Sequence, residues 1–466
     1  MYFEPEGQDN FSIEKFESML KSNKILFFDS DEFEDIVSYY FENGKIHLAR
    51  RAIKLGLEQH PDCTSLKIFK VEILLIEDKL EEAEQLVEDL FYIEQGSEDL
   101  YIQKATILSR KENHSEAINC LKKALELTDA PESVYYLLGM EYMFLDDFEN
   151  ALYYFAKCLN DMYEDYGILY NLICCYEYLG KIDEAIAFMN DYLDNNPYSA
   201  IGWQQIGKLY YKQKSYEKAL AAYEFAIISD DQFFGAYMDK GKTLEKLKRW
   251  EEAIESYTIT LSLEHPTSYA LLRMGKCYAK SGKPEIALDF YLRCIAEDPL
   301  LDKGWTAIVD FYYKSKNYEK ALEYINEALA IDAENVLFWK RYAKINDKLK
   351  RYQEAEVGYS KALEYGNYEL DSWISRGDIL TSLGEYEAAI KNFQEALEFY
   401  PEHPEIEYRL SGLYFSLQEN AKGEYHLRNA LDSEPEFIMI VEELFPLVYR
   451  MKKFKQIVAQ HTDTSI

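Results

Sequence analysis

An all-α fold, an α-solenoid of stacked helix pairs, is what this 466-residue chain predicts. Three observations carry it. Alanine recurs every 34 residues, at Ala49, Ala83, Ala117, Ala151, Ala185, Ala219, Ala253, Ala287, Ala321, Ala355 and Ala389, with no insertion. A fixed period in this range marks a stack of like supersecondary units. Trp203, Gly207 and Tyr210 are spaced i, i+4, i+7, and Ala219, Tyr223 and Ala226 repeat that spacing one helix later. Each repeat therefore reads as two amphipathic helices with one apolar stripe each. Finally, Pro61, Pro197, Pro299, Pro401 and Pro435 share one position, with Pro266 one place later. Proline there stops the second helix and fixes the turn into the next repeat.

Composition agrees with a folded, non-membrane chain. Hydrophobic residues make up 48% and aromatics 15%, with 41 Tyr, so apolar surface is ample and disorder is not expected. Length alone suggests roughly three domains, but the unbroken register favours one elongated array. The first ten residues carry acids and no base, no apolar signal core follows, and no apolar run approaches the roughly 20 residues of a membrane span. Seven cysteines without a CxxC spacing suit a reducing cytoplasm. Cys158 and Cys294 fall where other repeats place Ala226 or Ala328, as small core residues.

The formal charge of −33 argues against a general nucleic-acid or membrane-surface binder. It is unevenly spread. Residues 1–200 hold 17 basic and 41 acidic residues, net −24; residues 201–350 hold 23 and 22, net +1; residues 351–466 hold 11 and 21, net −10.

In chain order, residues 1–29 precede the first repeat. Phe11, Ile13, Phe16, Met19 and Leu20 predict a helix there that caps the open end of the stack. From Ser30 the register gives twelve repeats of 34 residues across 30–437. The last has Gly423 where the alanine belongs. Residues 438–466 read as a degenerate repeat and C-terminal cap, interrupted at Pro446, with Ile457 back on the register.

The pattern Trp203-x-x-Ile206-Gly207-x-x-Tyr210, then Ala219, Tyr223, Ala226 and the shared prolines, resembles the tetratricopeptide repeat from about residue 30 to 437. The resemblance implies a right-handed superhelix of about twelve antiparallel helix pairs with helical caps, whose first helices line a concave groove for peptides or partner proteins. Gly207 is matched by Gly139, Gly241, Gly275 and Gly377, but by Val37, Val71, Ile173 and Val309 elsewhere. Those four repeats are expected to pack less closely.

Chemistry is hard to place on this chain. Gly241-Lys242-Thr243 lacks the upstream glycine and strand of a phosphate loop, and Gly241 reads as a packing glycine. His47, His60, His114, His265, His403, His426 and His461 form no i, i+3 or i, i+4 pair, and HExxH and GxSxG are absent. Cys174 and Cys175 read as helix-packing residues. The expectation is no catalytic residue, no cofactor and no metal site.

One constellation remains. Lys208 and Lys212, Lys242 and Lys246, Lys276 and Lys280, and Lys344 and Lys348 are i, i+4 pairs within first helices, and Lys314 continues the row beside Asp310. At about 100° per residue they should lie opposite the buried stripe, on the side that the resemblance makes the groove. Like charges at this spacing cost an isolated helix about 0.2–0.5 kcal/mol per pair. The row Lys212, Lys246, Lys280, Lys314, Lys348 is explained by the helix dipole alone. The mid-helix row Lys208, Lys242, Lys276, Lys344 is not. The asparagines of the family's carboxylate clamp are missing around Lys208 and Lys242, so that clamp is not expected.

The expected function is a non-enzymatic protein–protein interaction scaffold or adaptor in the cytoplasm. Its groove would take an acidic peptide or protein at the central repeats. The alternative is RNA or single-stranded nucleic acid along the same lysines with stacking on Tyr211 and Tyr313, which the acidic flanks oppose.

Overall fold

The computed structural model describes residues 9–22, 26–94, 96–159, 166–263 and 267–464. Every regular element among them is a helix. The first helices of successive repeats are α2 (Ser30–Glu42), α4 (Thr64–Ile76), α6 (Glu98–Arg110), α8 (Glu132–Phe144), α10 (Tyr166–Tyr178), α12 (Ala200–Lys212), α14 (Phe234–Lys246), α16 (Ser268–Lys280), α18 (Asp302–Lys314), α20 (Val336–Lys348), α22 (Leu370–Leu383) and α24 (Pro404–Ser416). The second helices are α3 (Ile46–Gln59), α5 (Leu80–Ile93), α7 (His114–Leu127), α9 (Phe148–Cys158), α11 (Ile182–Asn195), α13 (Tyr216–Ser229), α15 (Trp250–Leu263), α17 (Pro284–Glu297), α19 (Tyr318–Ile331), α21 (Tyr352–Glu364), α23 (Tyr386–Phe399) and α25 (Asn420–Ser433). Both series start at 34-residue steps. The fold is an all-α repeat solenoid.

The turn inside each repeat follows one backbone rule. Its central residue is left-handed in all twelve: glycine at Gly44, Gly180, Gly282 and Gly384, and φ of 57–63° at Asp78, Glu112, Asp146, Lys214, Lys248, Lys316, Lys350 and Gln418. The next residue donates its N–H back five positions at 2.8–2.9 Å, as Ser215 does to Tyr210 and Arg249 to Leu244. This closure satisfies carbonyls that the helix end leaves open. The turn between repeats is locked differently. The Trp203 and Trp305 indoles donate to the carbonyls of Pro197 (2.8 Å) and Pro299 (2.9 Å), and Trp339 repeats the bond to Ala333 (2.7 Å). Pro266 lies outside the described residues.

All eleven register alanines are fully buried. Where the first helix carries glycine, the second carries a ring sixteen residues on: Gly139 and Phe155, Gly207 and Tyr223, Gly241 and Tyr257, Gly275 and Tyr291, Gly377 and Phe393. A methyl on any of these glycines would sit within 2.6 Å of a ring carbon. Where the first helix carries Val37, Val71, Ile173 or Val309, the partner is Ile53, Val87, Met189 or Ile325, and both members are buried. Volume is exchanged across the pair. The helices respond in part: α4/α5 and α10/α11, with Val71 and Ile173, are packed more openly than pairs such as α12/α13 and α16/α17, but α18/α19, with Val309, is packed as closely as α22/α23, with Gly377. The looser packing expected of four repeats is met at Val71 and Ile173 and not at Val309.

The chain clusters into two compact bodies, Met1–Ala236 and Tyr237–Ile466, while the 34-residue register continues without insertion. In the N-terminal body, α1 (Asp9–Ser22) buries Ile13, Phe16 and Met19 against Phe28, Phe33 and Tyr40. Residues 26–28 are strapped to the end of α3: Gln59 accepts from the Phe28 N–H (3.1 Å) and donates to the Leu26 carbonyl (2.9 Å). In the C-terminal body, a 3-10 turn (Pro435–Ile438), α26 (Met439–Leu444), α27 (Pro446–Tyr449) and α28 (Lys452–Thr464) follow the last repeat. Phe445 fills the space beside Gly412, and Phe454 and Ile457 of α28 are buried. Among the described residues no helix is long and apolar enough to cross a membrane.

Candidate functional site on the first helices

The two lysine rows occupy different environments. Lys212, Lys246, Lys280, Lys314 and Lys348, in the last turns, are exposed; Lys208, Lys242, Lys276 and Lys344, mid-helix, are all half-buried. The expectation that the mid-helix row lies on an open face opposite the buried stripe is corrected here. A first helix in a stack touches neighbours on more than one side. On α12, Gly202, Gln204, Gln205, Ile206, Gly207 and Leu209 are all buried, and first helices meet directly at α2/α4, α4/α6 and α10/α12. The mid-helix residue therefore sits in the crevice between consecutive first helices.

Several mid-helix residues meet residues of the next first helix that lie 27 or 31 positions along the chain. Glu72 faces Asp99 and accepts from Gln103 (3.0 Å). Asn171 donates toward Met140. Lys242 lies over the Tyr269 ring (5.5 Å), shared with Arg273 (5.8 Å). Asp310 is clasped by Arg341 at 3.0 and 3.2 Å. Lys344 pairs with Asp371 (3.0 Å), and Asp378 with Arg409 (2.7 and 2.9 Å). These residues form a ladder of contacts that staples helix to helix.

The ladder neutralises much of the predicted site. Lys242 reaches Asp239 at 3.1 Å within its own helix, Lys212 pairs with Glu177, Lys348 lies 3.9 Å from Asp347, and Lys208 lies 5.8 Å from the Tyr166 ring centre. Asp371 is held below the usual carboxylate range: burial opposes this, but the Lys344 and Lys340 hydrogen bonds and charges prevail. The expected pairing of Lys314 with Asp310 is replaced, because the Arg341 fork takes that carboxylate. Among the described residues Lys246, Lys276, Lys280 and Lys314 make no ion pair.

Lys276 differs from its row-mates. Lys303, itself without an ion pair, is the charge on the next first helix that acts on it. Burial, then the Arg273 charge, push its ammonium below the usual lysine range; the Glu245 carboxylate opposes this and Lys303 adds to it. Arg273 is engaged elsewhere: it donates to Glu245 (2.7 Å), which also accepts from the Tyr257 hydroxyl (2.7 Å). In the next crevice a cleft of about 330 Å³ is lined by Val309, Tyr313, Leu337, Lys340, Arg341 and Lys344.

The residues that sequence reasoning passed over are Arg273, Arg341, Arg409, Lys303 and Lys340. A signal existed: the three arginines recur at 68 residues, twice the period. Only the structure shows which charge each one meets. The competing motifs resolve as packing. Gly241 faces Tyr257, and the fully buried Thr243 hydroxyl donates to the Asp239 carbonyl (2.8 Å). Burial pushes the Cys175 and Cys277 thiols up to about 12. Tyr211 and Tyr313, the candidate stacking rings, are met edge-on by Tyr216 (5.4 Å) and Tyr318 (5.3 Å). His265 lies outside the described residues.

Comparison with known proteins adds the following. Profiles of the tetratricopeptide repeat match residues 98–131, 132–160, 168–199, 205–262, 269–300, 302–345 and 370–403. Anaphase-promoting complex subunit 3 of Schizosaccharomyces pombe is 28% identical over 128 residues, which span 28% of this chain and 19% of that protein. Two solved structures are similar over longer stretches at lower identity. One is the C-terminal part of a TPR repeat-containing protein from Cytophaga hutchinsonii (14% identity, TM-score 0.45, 51% of this chain and 98% of that one). The other is YrrB, described as a TPR protein with an unusual peptide-binding site (15% identity, TM-score 0.33, 40% and 97%). With the period, the helix pairs and the profile matches in agreement, the chain belongs to the tetratricopeptide repeat family.

Proposed function

We propose that this protein is a non-enzymatic scaffold or adaptor that binds a partner protein or peptide on its first helices, and that the partner segment is acidic where it meets residues 234–335. The observation that carries this reading is the set of cations left without an ion pair on consecutive first helices: Lys246, Lys276, Lys280 and Lys314. A first-helix face that staples itself elsewhere with Arg341 and Arg409, yet leaves these charges open, is electrostatically incomplete until an anion arrives. The helix Asp9–Ser22 and the helices from Met439 to Thr464 act as the end caps of the stack. The free cysteines fit action in a reducing cytoplasm.

The test is cross-linking and pulldown from the native cytoplasm with the wild type and with K208E/K242E/K276E. The charge-reversed protein loses the acidic partners and keeps its helical circular dichroism. Recovery of every partner at unchanged affinity ends the groove assignment. Filter binding of RNA over a salt series checks the rival: the net charge of −33 predicts no retention at low salt and no salt slope.

A further inference from the structure

We propose that the cleft between α18 and α20 is an anchor pocket for one aromatic side chain of the partner segment, with carboxylates beside that residue meeting Lys314 and Lys348 at the rim. This rests on the reading above that the first helices bind an acidic segment, and it names the residue that the segment inserts.

The cleft measures about 330 Å³, at the small end of the range of built pockets, which suits a single bulky side chain. Its lining is apolar where it is deepest: Val309 and Ile345 are buried, while Leu337 is 48% exposed. Tyr313 adds a ring, held by Tyr318 with the two ring centres 5.3 Å apart. Adjacent crevices lack this lining. Where Val309 and Leu337 stand, the crevice before has Gly275 and Lys303 and the crevice after has Ala343 and Asp371. Apolar surface left open in a concave place is covered at a gain when an apolar side chain enters.

The cations in the lining already have partners. Arg341 clasps Asp310 at 3.0 and 3.2 Å, Lys344 pairs with Asp371 at 3.0 Å, and Lys340 pairs with Glu369 and, at 3.5 Å, with Asp371. These pairs hold the charged heads, so what Lys340 and Lys344 offer the cleft is their methylene stems. Asp310 is matched by the Arg341 fork and does not repel an acidic segment. A charged side chain inside the cleft would give up water without finding an open partner, whereas an apolar one loses nothing. An aromatic ring gains further, from packing on Tyr313 and from the cations around it. The open charges stand outside the lining. Lys314 follows Tyr313 on α18 and makes no ion pair among the described residues. Lys348 lies one turn beyond Lys344 on α20, 3.9 Å from Asp347. Both are exposed, and both favour carboxylates flanking the inserted ring.

The experiment uses the full chain and peptides of one acidic framework with a central phenylalanine, leucine or alanine, together with a phenylalanine peptide whose acids are replaced by lysine, read by fluorescence anisotropy. The wild type binds the acidic phenylalanine peptide about tenfold more tightly than the alanine peptide, the scale of burying one such side chain. The leucine peptide falls between them, and the lysine-flanked peptide does not bind. Y313Q/L337Q abolishes the preference for phenylalanine. L337Q alone, at a side chain outside the core, lowers it and keeps the test decisive should the double variant lose its helical circular dichroism. L300Q, at a leucine that is 80% exposed and outside the cleft, leaves the preference intact. Equal affinity of the wild type for the phenylalanine and alanine peptides overturns the anchor and leaves the acidic-segment reading standing. Leucine binding as tightly as phenylalanine overturns the aromatic assignment. A preference unchanged in L337Q and in the double variant overturns the cleft as its seat. Tight binding of the lysine-flanked peptide overturns the acidic reading and leaves the anchor, and binding of none of the peptides overturns both.

Discussion

Two crevices, α4/α6 in the N-terminal body and α16/α18 in the C-terminal body, use the same repeat positions with opposite polarity. In the first, Glu72 faces Asp99, and burial followed by like charge pushes both carboxyls above their usual range. In the second, Lys276 faces Lys303, and its ammonium is pushed below the usual range. The last-turn row differs as well. In the N-terminal body it is mixed, with Phe144 stacked on His114 at 5.0 Å and Tyr178 on Phe148 at 4.5 Å in a row that also holds Arg110 and Lys212. In the C-terminal body it carries Lys246, Lys280 and Lys314. The repeat decides where a side chain stands and leaves open what it offers. Recognition is therefore written on a few positions whose packing duties are light.

The comparison can be broken most severely through buried charge, which each body holds once at an apolar position. Glu141 is paired with His114 at 2.8 Å, and Glu407 with His426 at 2.6 Å. Removing the histidine, as H114A or H426A, strands a carboxylate that is 6% or 3% exposed, and should cost about 3–5 kcal/mol in urea unfolding. Equal losses in the two bodies would mean that they share one structural rule beneath their different polarity. A loss below about 1 kcal/mol at either would show that the pair is not needed there.

Packing gives the next largest effect. G207V forces a methyl to within 2.5 Å of the Tyr223 ring and should cost about 3 kcal/mol. G207V/Y223I recreates the Val309 and Ile325 pair and should recover more than half of that loss, measured by the same unfolding. Absence of recovery would refute volume exchange as the rule that sets helix spacing.

The crevices themselves predict opposite pH responses. For Glu72 and Asp99 the folded pKa lies above the unfolded one. Their contribution to stability is present at low pH and lost as pH rises through the raised values, so acidification from neutral stabilises the N-terminal body. For Lys276 the folded pKa lies below the unfolded one. The folded state binds fewer protons between the two values, so stability rises with pH through that window. E72Q/D99N removes the first response and K276M the second, each with a gain of about 0.5 kcal/mol at neutral pH. Thermal melts from acid to alkaline pH on both variants check the two signs, and a shared sign would remove the contrast.

The smallest effect is common to both bodies. K214G and K248G relieve a left-handed backbone that a lysine adopts at φ 61°, and each should stabilise by about 0.5–1 kcal/mol. The same substitutions in a regular helix turn would destabilise, so the sign is the readout.

The helix pairs were legible in the sequence, because a 34-residue alanine register and prolines at one shared repeat position need no tertiary information. The glycine-to-ring pairs were legible in part: Gly207 was read as a packing residue, but its exchange of volume with position 223 emerged only when both helices were seen together. The candidate site was legible as a row of lysines and misread in its surroundings. Lys344 and Lys242 are matched by Asp371 and Asp239, Asp310 belongs to Arg341 and not to Lys314, and Lys276 is left with Lys303.

The sequence by itself determined the period, the repeat boundaries and the residues that must be buried, since each follows from local spacing and from the apolar stripe of a helix. The tertiary structure alone decided which charge stands opposite which. Partners that meet across a crevice lie 27 or 31 residues apart on separate helices. Only the stacking of one repeat on the next converts that separation into contact, and so distinguishes an ammonium in an ion pair from one without.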